Sequence, residues 1–376
     1  MRRRLEQVEI PGEHEASERA WKVVRAAFAE HEPRPPARRP VGLVAGTAAA
    51  AVVALVVVAV SPAGPALVRS VRNAVGSDHA ERALVALPGA GRLLVDSGAG
   101  SWVVSADGSK RLLGRYATSG WSPHGLFEIV ARGHELAALD PKGNVRWSVE
   151  RRGTIRHPRW SPDGFRVAYL AGRSLRVIAG DGTGDRLLAP SVAAVPPAWQ
   201  PGRTHALTYV TANGTVRTVD ADTGTTIARW RGRNRPLLLA WSADGKQLLS
   251  LGRDTVDVRT GDLERVASLR LRTSTIAAAA WAPSGGRYAL VGYDAAQDRS
   301  SVVIQGDGRA RTVFQGTGRI EGVNWSPDGR WLVLAWRTAD QWLFARTSGG
   351  PRIRAVASIS TQFHSRTFPR LAGWCC

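Results

Sequence analysis

The sequence is poor in cysteine, lysine and acidic residues. Its only cysteines are Cys375 and Cys376, the last two of 376 residues. Neither a disulfide framework nor a cysteine-based zinc site can be built from them, and we interpret the pair as an incidental tail. Only four of the 51 basic residues are lysines. The 51 basic residues against 31 acidic residues give a formal net charge of +20. With 44% apolar and 22% charged residues, the composition is nevertheless that of a globular protein.

Sequence signatures of catalysis are also missing. The eight histidines show no H-E-x-x-H or other metal-binding spacing, and no Walker loop is present. The segment GWSPHG at 120–125 lacks the G-x-S-x-G spacing of a nucleophile elbow, and the acidic turn at 220–224 lacks the ligands of a calcium loop. We therefore predict a protein that is not an enzyme, with no catalytic residues, no metal and no cofactor.

One long hydrophobic run is present, at residues 41–60, and it contains no charge. A helix of this length rises about 30 Å, which matches the hydrocarbon core of a membrane. We predict an uncleaved transmembrane helix. A cleaved signal peptide is the alternative, but the forty largely polar residues that precede the run differ from the short basic start of a signal peptide.

The basic residues that flank this run predict its orientation. Residues 21–40 carry five of them and residues 61–80 carry two: Lys22, Arg25, Arg34, Arg38 and Arg39 before the run, and Arg69 and Arg72 after it. The positive-inside rule then places residues 1–40 in the cytoplasm. It places a juxtamembrane linker at 61–80 and the domain at 81–376 outside the cytoplasm, as a single-pass protein of the cell membrane.

The cytoplasmic tail is predicted to contain an amphipathic helix at residues 13–32. Trp21, Val24 and Phe28 recur at helical spacing and form its apolar stripe, and a proline-rich spacer up to residue 40 ends the helix. An isolated helix of this length is marginal in water, so the stripe is expected to dock on another surface. The bilayer and a cytoplasmic regulator fit equally well.

From residue 81 onward the chain is organised by a repeat. Its motif has the form W-S-P-D-G, and successive motif tryptophans are spaced by 39 to 44 residues: Trp121, Trp160, Trp199, Trp241, Trp281 and Trp325. This period is typical of a four-stranded β-propeller blade. Each tryptophan ends the first strand of a blade, and we interpret it as a structural residue packed between neighbouring sheets.

The number of blades depends on the two ends of the domain. Residues 84–117 contain three strand-like segments ahead of Trp121, RLLVDS, SWVVSAD and KRLLG, and the C-terminal FPRLAGW supplies an unpaired first strand that ends at Trp374. Joining these segments gives a closed, all-β propeller of seven blades and hides both open edges. If residues 84–87 were instead the first strand of that blade, the tail would be spare and six blades would be the alternative.

These motifs resemble the TolB-like family of WSPDG-repeat propellers, which are WD-repeat-like repeat proteins. The resemblance covers about 290 residues, and it implies a protein-binding domain of the bacterial cell envelope. Two hairpins, at 138–147 and 219–230, also resemble the repeats of quinoprotein-type propellers. We interpret their tryptophans, Trp147 and Trp230, as docking residues.

Basic residues concentrate where one blade is predicted to connect to the next, beside the central channel. The candidate binding residues are Arg156, His157, Arg159, Arg233, Arg235, Arg319 and Arg366, and Arg370 lies in the same kind of segment. They predict a rim that attracts anions; the alternative is a solvated arginine surface. Outside the cytoplasm we expect an anionic envelope ligand or an envelope protein as the partner, and we do not expect nucleic acid.

Two functions follow from this layout. In the first, the propeller is a membrane-tethered scaffold that binds a protein or ligand in the envelope. In the second, the outer propeller senses a signal and the cytoplasmic helix binds a regulator. A short cytoplasmic helix, one membrane span and an outer sensor resemble the layout of membrane anti-sigma factors.

Overall fold

The computed structural model describes residue 84 and residues 86–232, 234–306, 309–350 and 352–376. The predicted cytoplasmic helix with Trp21, Val24 and Phe28, the predicted span at 41–60, and Arg233 lie outside the described residues. Among the residues that are described, no helix is both long and apolar enough to cross a membrane.

Seven four-stranded antiparallel sheets form the described chain, and we number them as blades. Blade 1 joins β1 (Arg92–Ser97), β2 (Gly100–Val104) and β3 (Lys110–Gly114) to the C-terminal β28 (Arg370–Cys375). Blade 2 contains β4 (Thr118–Trp121), β5 (Glu128–Arg132), β6 (Glu135–Leu139) and β7 (Val145–Glu150). Blade 3 contains β8 (Ile155–Trp160), β9 (Arg166–Ala171), β10 (Ser174–Ala179) and β11 (Arg186–Ala189).

The remaining blades follow in the same order. Blade 4 contains β12 (Ala198–Trp199), β13 (Ala206–Val210), β14 (Val216–Asp220) and β15 (Thr226–Trp230). Blade 5 contains β16 (Leu238–Trp241), β17 (Gln247–Leu251), β18 (Thr255–Thr260) and β19 (Arg265–Arg270). Blade 6 contains β20 (Thr275–Trp281), β21 (Tyr288–Asp294), β22 (Arg299–Gly306) and β23 (Arg309–Thr317). Blade 7 contains β24 (Ile320–Trp325), β25 (Trp331–Trp336), β26 (Gln341–Arg346) and β27 (Ile353–Val356), and a one-turn helix, Ile359–Gln362, precedes β28.

The C-terminal strand closes the ring, which confirms the prediction of seven blades. β28 pairs with β1 in a register that runs from Arg92 opposite Cys375 to Asp96 opposite Arg370. The six-bladed alternative was wrong, because β28 supplies the first strand of blade 1, and Leu84, Ala86 and Leu87 belong to no strand. Leu84 and Leu87 are only 5% and 7% exposed, and they pack instead into the apolar cluster between blades 7 and 1.

The interpretation of the two cysteines as a tail is correct for only one of them. Cys375 is the final residue of β28 and pairs with Arg92, so it belongs to the strand that closes the ring. Cys376 follows the end of that strand.

The first strand of each blade lies on the inside of the ring. β28, β4, β8, β12, β16, β20 and β24 each contact the first strands of the two neighbouring blades, so together they form the inner wall. We call the end of the ring that carries the WSPDG turns the motif end. The opposite end carries the connections between blades, such as residues 234–237 and 363–369, and we call it the junction end.

The WSPDG turn explains why the motif recurs. In blade 3 the Ser161 hydroxyl accepts a hydrogen bond from the backbone N–H of Arg166 at 2.9 Å, and the Asp163 carboxylate accepts one from Phe165 N–H at 3.0 Å. Gly164 has φ 78°, a left-handed conformation that favours glycine. The serine and aspartate side chains thus accept hydrogen bonds from backbone N–H groups of a tight hairpin turn, and the glycine adopts the left-handed conformation that the turn requires.

The motif tryptophans link neighbouring blades. Trp199, Trp281 and Trp325 each donate their indole N–H to a carbonyl in the preceding blade, from the residue just before that blade's own motif tryptophan. For Trp281 the acceptor is Ala240 O, at 2.8 Å. The indole N–H groups of Trp121 and Trp160 are buried without a partner among the described residues. Blades 2 and 3 are therefore held less regularly than blades 4, 6 and 7.

Candidate anion-binding surface

Arg156, His157 and Arg159 lie on β8, the inner strand of blade 3. From the sequence we expected them in the connection between blades. The strand starts earlier than expected, because Ile155 is buried and already pairs with Ala171. A β-bulge interrupts the pairing between Arg156 and Arg159. Pro158, which has no N–H to give to the ladder, lies within this bulge and explains the interruption.

The bulge brings several cationic side chains together. Burial, reinforced by Arg159, Arg370 and Arg156, lowers the pKa of His157 to about 4, so its imidazole is neutral near pH 7. Burial and the nearby Arg370 lower the pKa of Arg159 to about 10, against an opposing effect of Asp96. The Arg159 guanidinium therefore remains charged at neutral pH. We call Arg156, Arg159 and Arg370 the inner-wall arginines.

Asp96 compensates only part of this charge. Its carboxylate forms an ion pair with Arg370 and also accepts hydrogen bonds from the hydroxyls of Ser101, at 2.7 Å, and Ser119, at 2.5 Å. Neither Arg156 nor Arg159 forms an ion pair with any described residue. Two of the three inner-wall arginines are therefore left without an acidic partner in the described part of the chain.

Pockets reach this cluster from both ends of the ring. At the motif end, Arg159 lines a pocket of about 350 Å³ together with Trp121, Trp160 and Trp199. At the junction end, Arg370 lines a larger pocket of about 860 Å³ with Asp96 and His364. A ligand at either end would therefore meet a guanidinium group, that of Arg159 at the motif end and that of Arg370 at the junction end.

The other predicted binding residues do not join this cluster. Arg319 lies between blades 6 and 7, and Glu321 already pairs with it at 3.4 Å. Arg366 lies in the connection that precedes β28. Arg235 lies in the connection between blades 4 and 5, where it lines a pocket of about 220 Å³ with Arg231. The predicted rim is therefore divided into separate basic regions.

Strand register reveals two charged core residues that the sequence motifs alone do not single out. In each blade the tryptophan that ends the first strand (Trp374 in blade 1) pairs with one residue of the second strand. That residue pairs in turn with one residue of the third strand. We call the three paired positions the tryptophan row. The second-strand members are Leu93, Glu128, Val167, Leu207, Leu248, Tyr288 and Leu332, and the third-strand members are Val104, Leu139, Ile178, Val219, Arg259, Gln305 and Ala345. Glu128 and Arg259 stand where most blades have an apolar residue.

Glu128 is an unusual core residue of blade 2. It is 0% exposed, and neither carboxylate oxygen has a hydrogen-bond partner among the described residues. Burial raises its pKa to about 7, although Arg92 and Arg111 oppose the shift and Asp140 adds to it. Aligning the WSPDG motifs would have revealed this residue, because it follows its tryptophan at the same interval as Val167 and Leu248 follow theirs.

Comparisons with known proteins bear on the fold. No protein-family model and no curated protein matches the chain. Hydrazine synthase from Kuenenia stuttgartiensis is similar with a TM-score of 0.51 at 14% identity, over 61% of this chain and 76% of that chain. The β-propeller domain of Cps50 (Swd1) from Myceliophteria thermophila is similar with a TM-score of 0.52 at 12% identity, over 65% of this chain and 86% of that chain. Together with the seven sheets, these likenesses identify a seven-bladed β-propeller.

Proposed function

We propose that this chain is a non-enzymatic binding scaffold whose propeller captures an anionic partner at the inner-wall arginines. The observation that carries the proposal is the position of Arg159. Its guanidinium is close enough to Arg370 for their charges to interact, lines the motif-end pocket, and forms no ion pair with a described residue. Arginine forks bind carboxylate and phosphate oxygens in pairs, and several together strengthen the local potential.

The proposal also includes a cellular location for the propeller. The apolar run at 41–60 would tether it to the cell membrane, and the charge difference across that run would place it outside the cytoplasm. The WSPDG repeats, which resemble those of TolB-like propellers, are in keeping with a role in the cell envelope. In that compartment, acidic proteins and anionic envelope polymers are the partners whose charge complements the inner wall.

Binding of model anions tests this function. The full chain would be titrated with polyglutamate, which carries carboxylates, and with polyphosphate, with neutral dextran as the uncharged probe. We expect the double variant R156Q/R159Q to bind both anions about tenfold or more weakly, because each charge-assisted hydrogen bond contributes about 1.5–3 kcal/mol. Added salt should weaken binding by the wild type, since exposed charges are screened over about 8 Å at physiological ionic strength.

A matched control separates position from net charge. Arg217 and Arg229 are exposed residues of the outer strands of blade 4, so the variant R217Q/R229Q loses the same charge away from the inner wall. This control should bind like the wild type. If both double variants bind equally, the inner-wall arginines are an ordinary solvated surface and the proposed function is wrong.

A further inference from the structure

A second basic cavity lies between blades 4 and 5, away from the inner-wall arginines. It has a volume of about 650 Å³, within the range of small-molecule sites. Its lining includes Trp230 and Arg231 from blade 4 and its connection, Arg259 and Arg265 from blade 5, and the hydroxyl residues Ser250, Thr255 and Ser268. We call it the interblade cleft.

Arg259 occupies a position at which the fold uses aliphatic residues. It is the blade 5 member of the tryptophan row, paired with Leu248, and in five other blades that position is filled by Val104, Leu139, Ile178, Val219 and Ala345. Arg259 is only 3% exposed. Burying a guanidinium is unfavourable unless its charge and its donors are matched, so the presence of arginine here calls for a partner.

The described residues satisfy the charge and the hydrogen-bond donors of Arg259 only in part. Its guanidinium carbon lies 3.4 Å from the centre of the Trp230 ring, one N–H group donates to the Leu263 carbonyl at 2.8 Å, and another donates to Asp257 at 3.2 Å. The Nε–H is buried without an acceptor among the described residues. The Arg259 guanidinium, which stacks on Trp230, thus keeps one N–H donor unsatisfied at the wall of the cleft.

The charge around the cleft also lacks an acidic counterpart. Three arginines line it, Arg231, Arg259 and Arg265, and Asp257 is the only acidic residue among the described lining residues. Burial lowers the pKa of Arg259; Asp257 opposes this effect and Arg265 adds to it. A bound anion would accept hydrogen bonds from the guanidinium groups and offset their mutual repulsion.

We propose that the interblade cleft binds a small molecule that carries a phosphate or carboxylate group. Arg259 and Arg265 hold the anionic group, and Ser250 and Thr255 provide further donors. The indole of Trp230 keeps the Arg259 guanidinium flat and oriented. This site lies on blades 4 and 5, whereas the inner-wall arginines belong to blades 1 and 3, so the two can be tested separately.

Calorimetric titration of the full chain with four probes tests the site. Inorganic phosphate and phenyl phosphate represent phosphate ligands, benzoate represents carboxylates, and phenol is the uncharged analogue. We expect saturable binding of phenyl phosphate or benzoate, with phenol inert, and the stronger of the two identifies the preferred anion. The variant R265Q should bind about tenfold more weakly, as expected for the loss of one charge-assisted contact.

Two further variants complete the test. R259K keeps the positive charge but loses the planar guanidinium group, which can donate two N–H bonds to one anion, so it should bind more weakly than the wild type. If R259K does not fold, R231Q is measured in its place, together with R265Q. R229Q removes an exposed arginine of β15 that does not line the cleft, and should bind like the wild type.

R156Q/R159Q should also leave cleft binding intact, so failure of the proposed function and failure of the cleft are distinguishable. The proposal is overturned if none of the anions binds, if phenol binds as well as phenyl phosphate, or if R265Q and R229Q behave alike.

Discussion

Glu128 makes the stability of the propeller depend on pH in a direction opposite to that of most carboxylates. Its pKa rises from the ordinary 4.5 to about 7 in the fold, because the buried carboxylate has no hydrogen-bond partner among the described residues. The protonated form is the one that the fold accommodates. The contribution of Glu128 is therefore fully favourable below pH 4.5 and is lost as pH rises through about 7.

The size of the effect follows from the shift. Each pKa unit corresponds to about 1.4 kcal/mol, so ionised Glu128 lowers the free energy of unfolding by roughly 3 kcal/mol above neutral pH. Glu128→Gln removes the titration while keeping the shape. Glu128→Leu installs the side chain that Leu248 and Leu332 supply in blades 5 and 7. Both variants should be more stable than the wild type at about pH 8 and close to it at about pH 4.

Thermal melts of the full chain, followed by circular dichroism at both pH values, measure this difference. A gain of about 3 kcal/mol corresponds to a rise in Tm of about 5 °C at this domain size, because the entropy of unfolding is about 2.1 cal/mol/K per residue. Glu150→Gln is the matched control, because Glu150 is an exposed acid at the end of β7 in the same blade. It should leave the pH dependence unchanged. Equal effects of Glu128→Gln at both pH values would refute the reasoning, since they would show that Glu128 does not titrate in this range.

Two further predictions concern the closure of the ring and its location. Deleting residues 366–376 removes β28 and with it Trp374, which is 8% exposed and donates to the Ala90 carbonyl at 3.0 Å; we expect a loss of at least about 3–5 kcal/mol in a thermal or urea melt. A truncated chain that melts like the full one would show that the ring closes without its tail. Protease added to intact spheroplasts should digest residues 81–376 and spare the N-terminal tail, because the flanking charge favours a cytoplasmic N-terminus. Protection of the propeller in that assay would contradict the proposed location.

The fold could be predicted from the sequence because its signals are local and repeated. The spacing of the motif tryptophans indicated the blades, and the unpaired segment ending at Trp374 indicated how they close. The candidate surface was predicted less well, because the bulge at Pro158 and the register of neighbouring strands decide which side chains meet. Arg156, His157 and Arg159 were found as basic residues, but their proximity to Arg370 depends on blades 1 and 3 approaching each other in space.

Glu128 and Arg259 were missed for a different reason. Each stands in a strand segment that looks ordinary by composition, and its burial becomes evident only when equivalent positions of all blades are compared. Aligning the repeats residue by residue, and not only their tryptophans, would have shown both as charged residues in an apolar row.

The pairing of β28 with β1 also has a consequence for how the protein is made. The two strands that close blade 1 lie at opposite ends of the domain, so the sheet cannot be completed before Arg370–Cys375 has been synthesised. Until then β1 presents an unpaired strand edge, and the apolar residues around Leu84 and Phe363 lack their final cover. Contacts between residues so distant in sequence form slowly, because a long loop must close first. The nascent propeller would thus need protection from aggregation until β28 has emerged, and a chain that stops before β28 would be left permanently open.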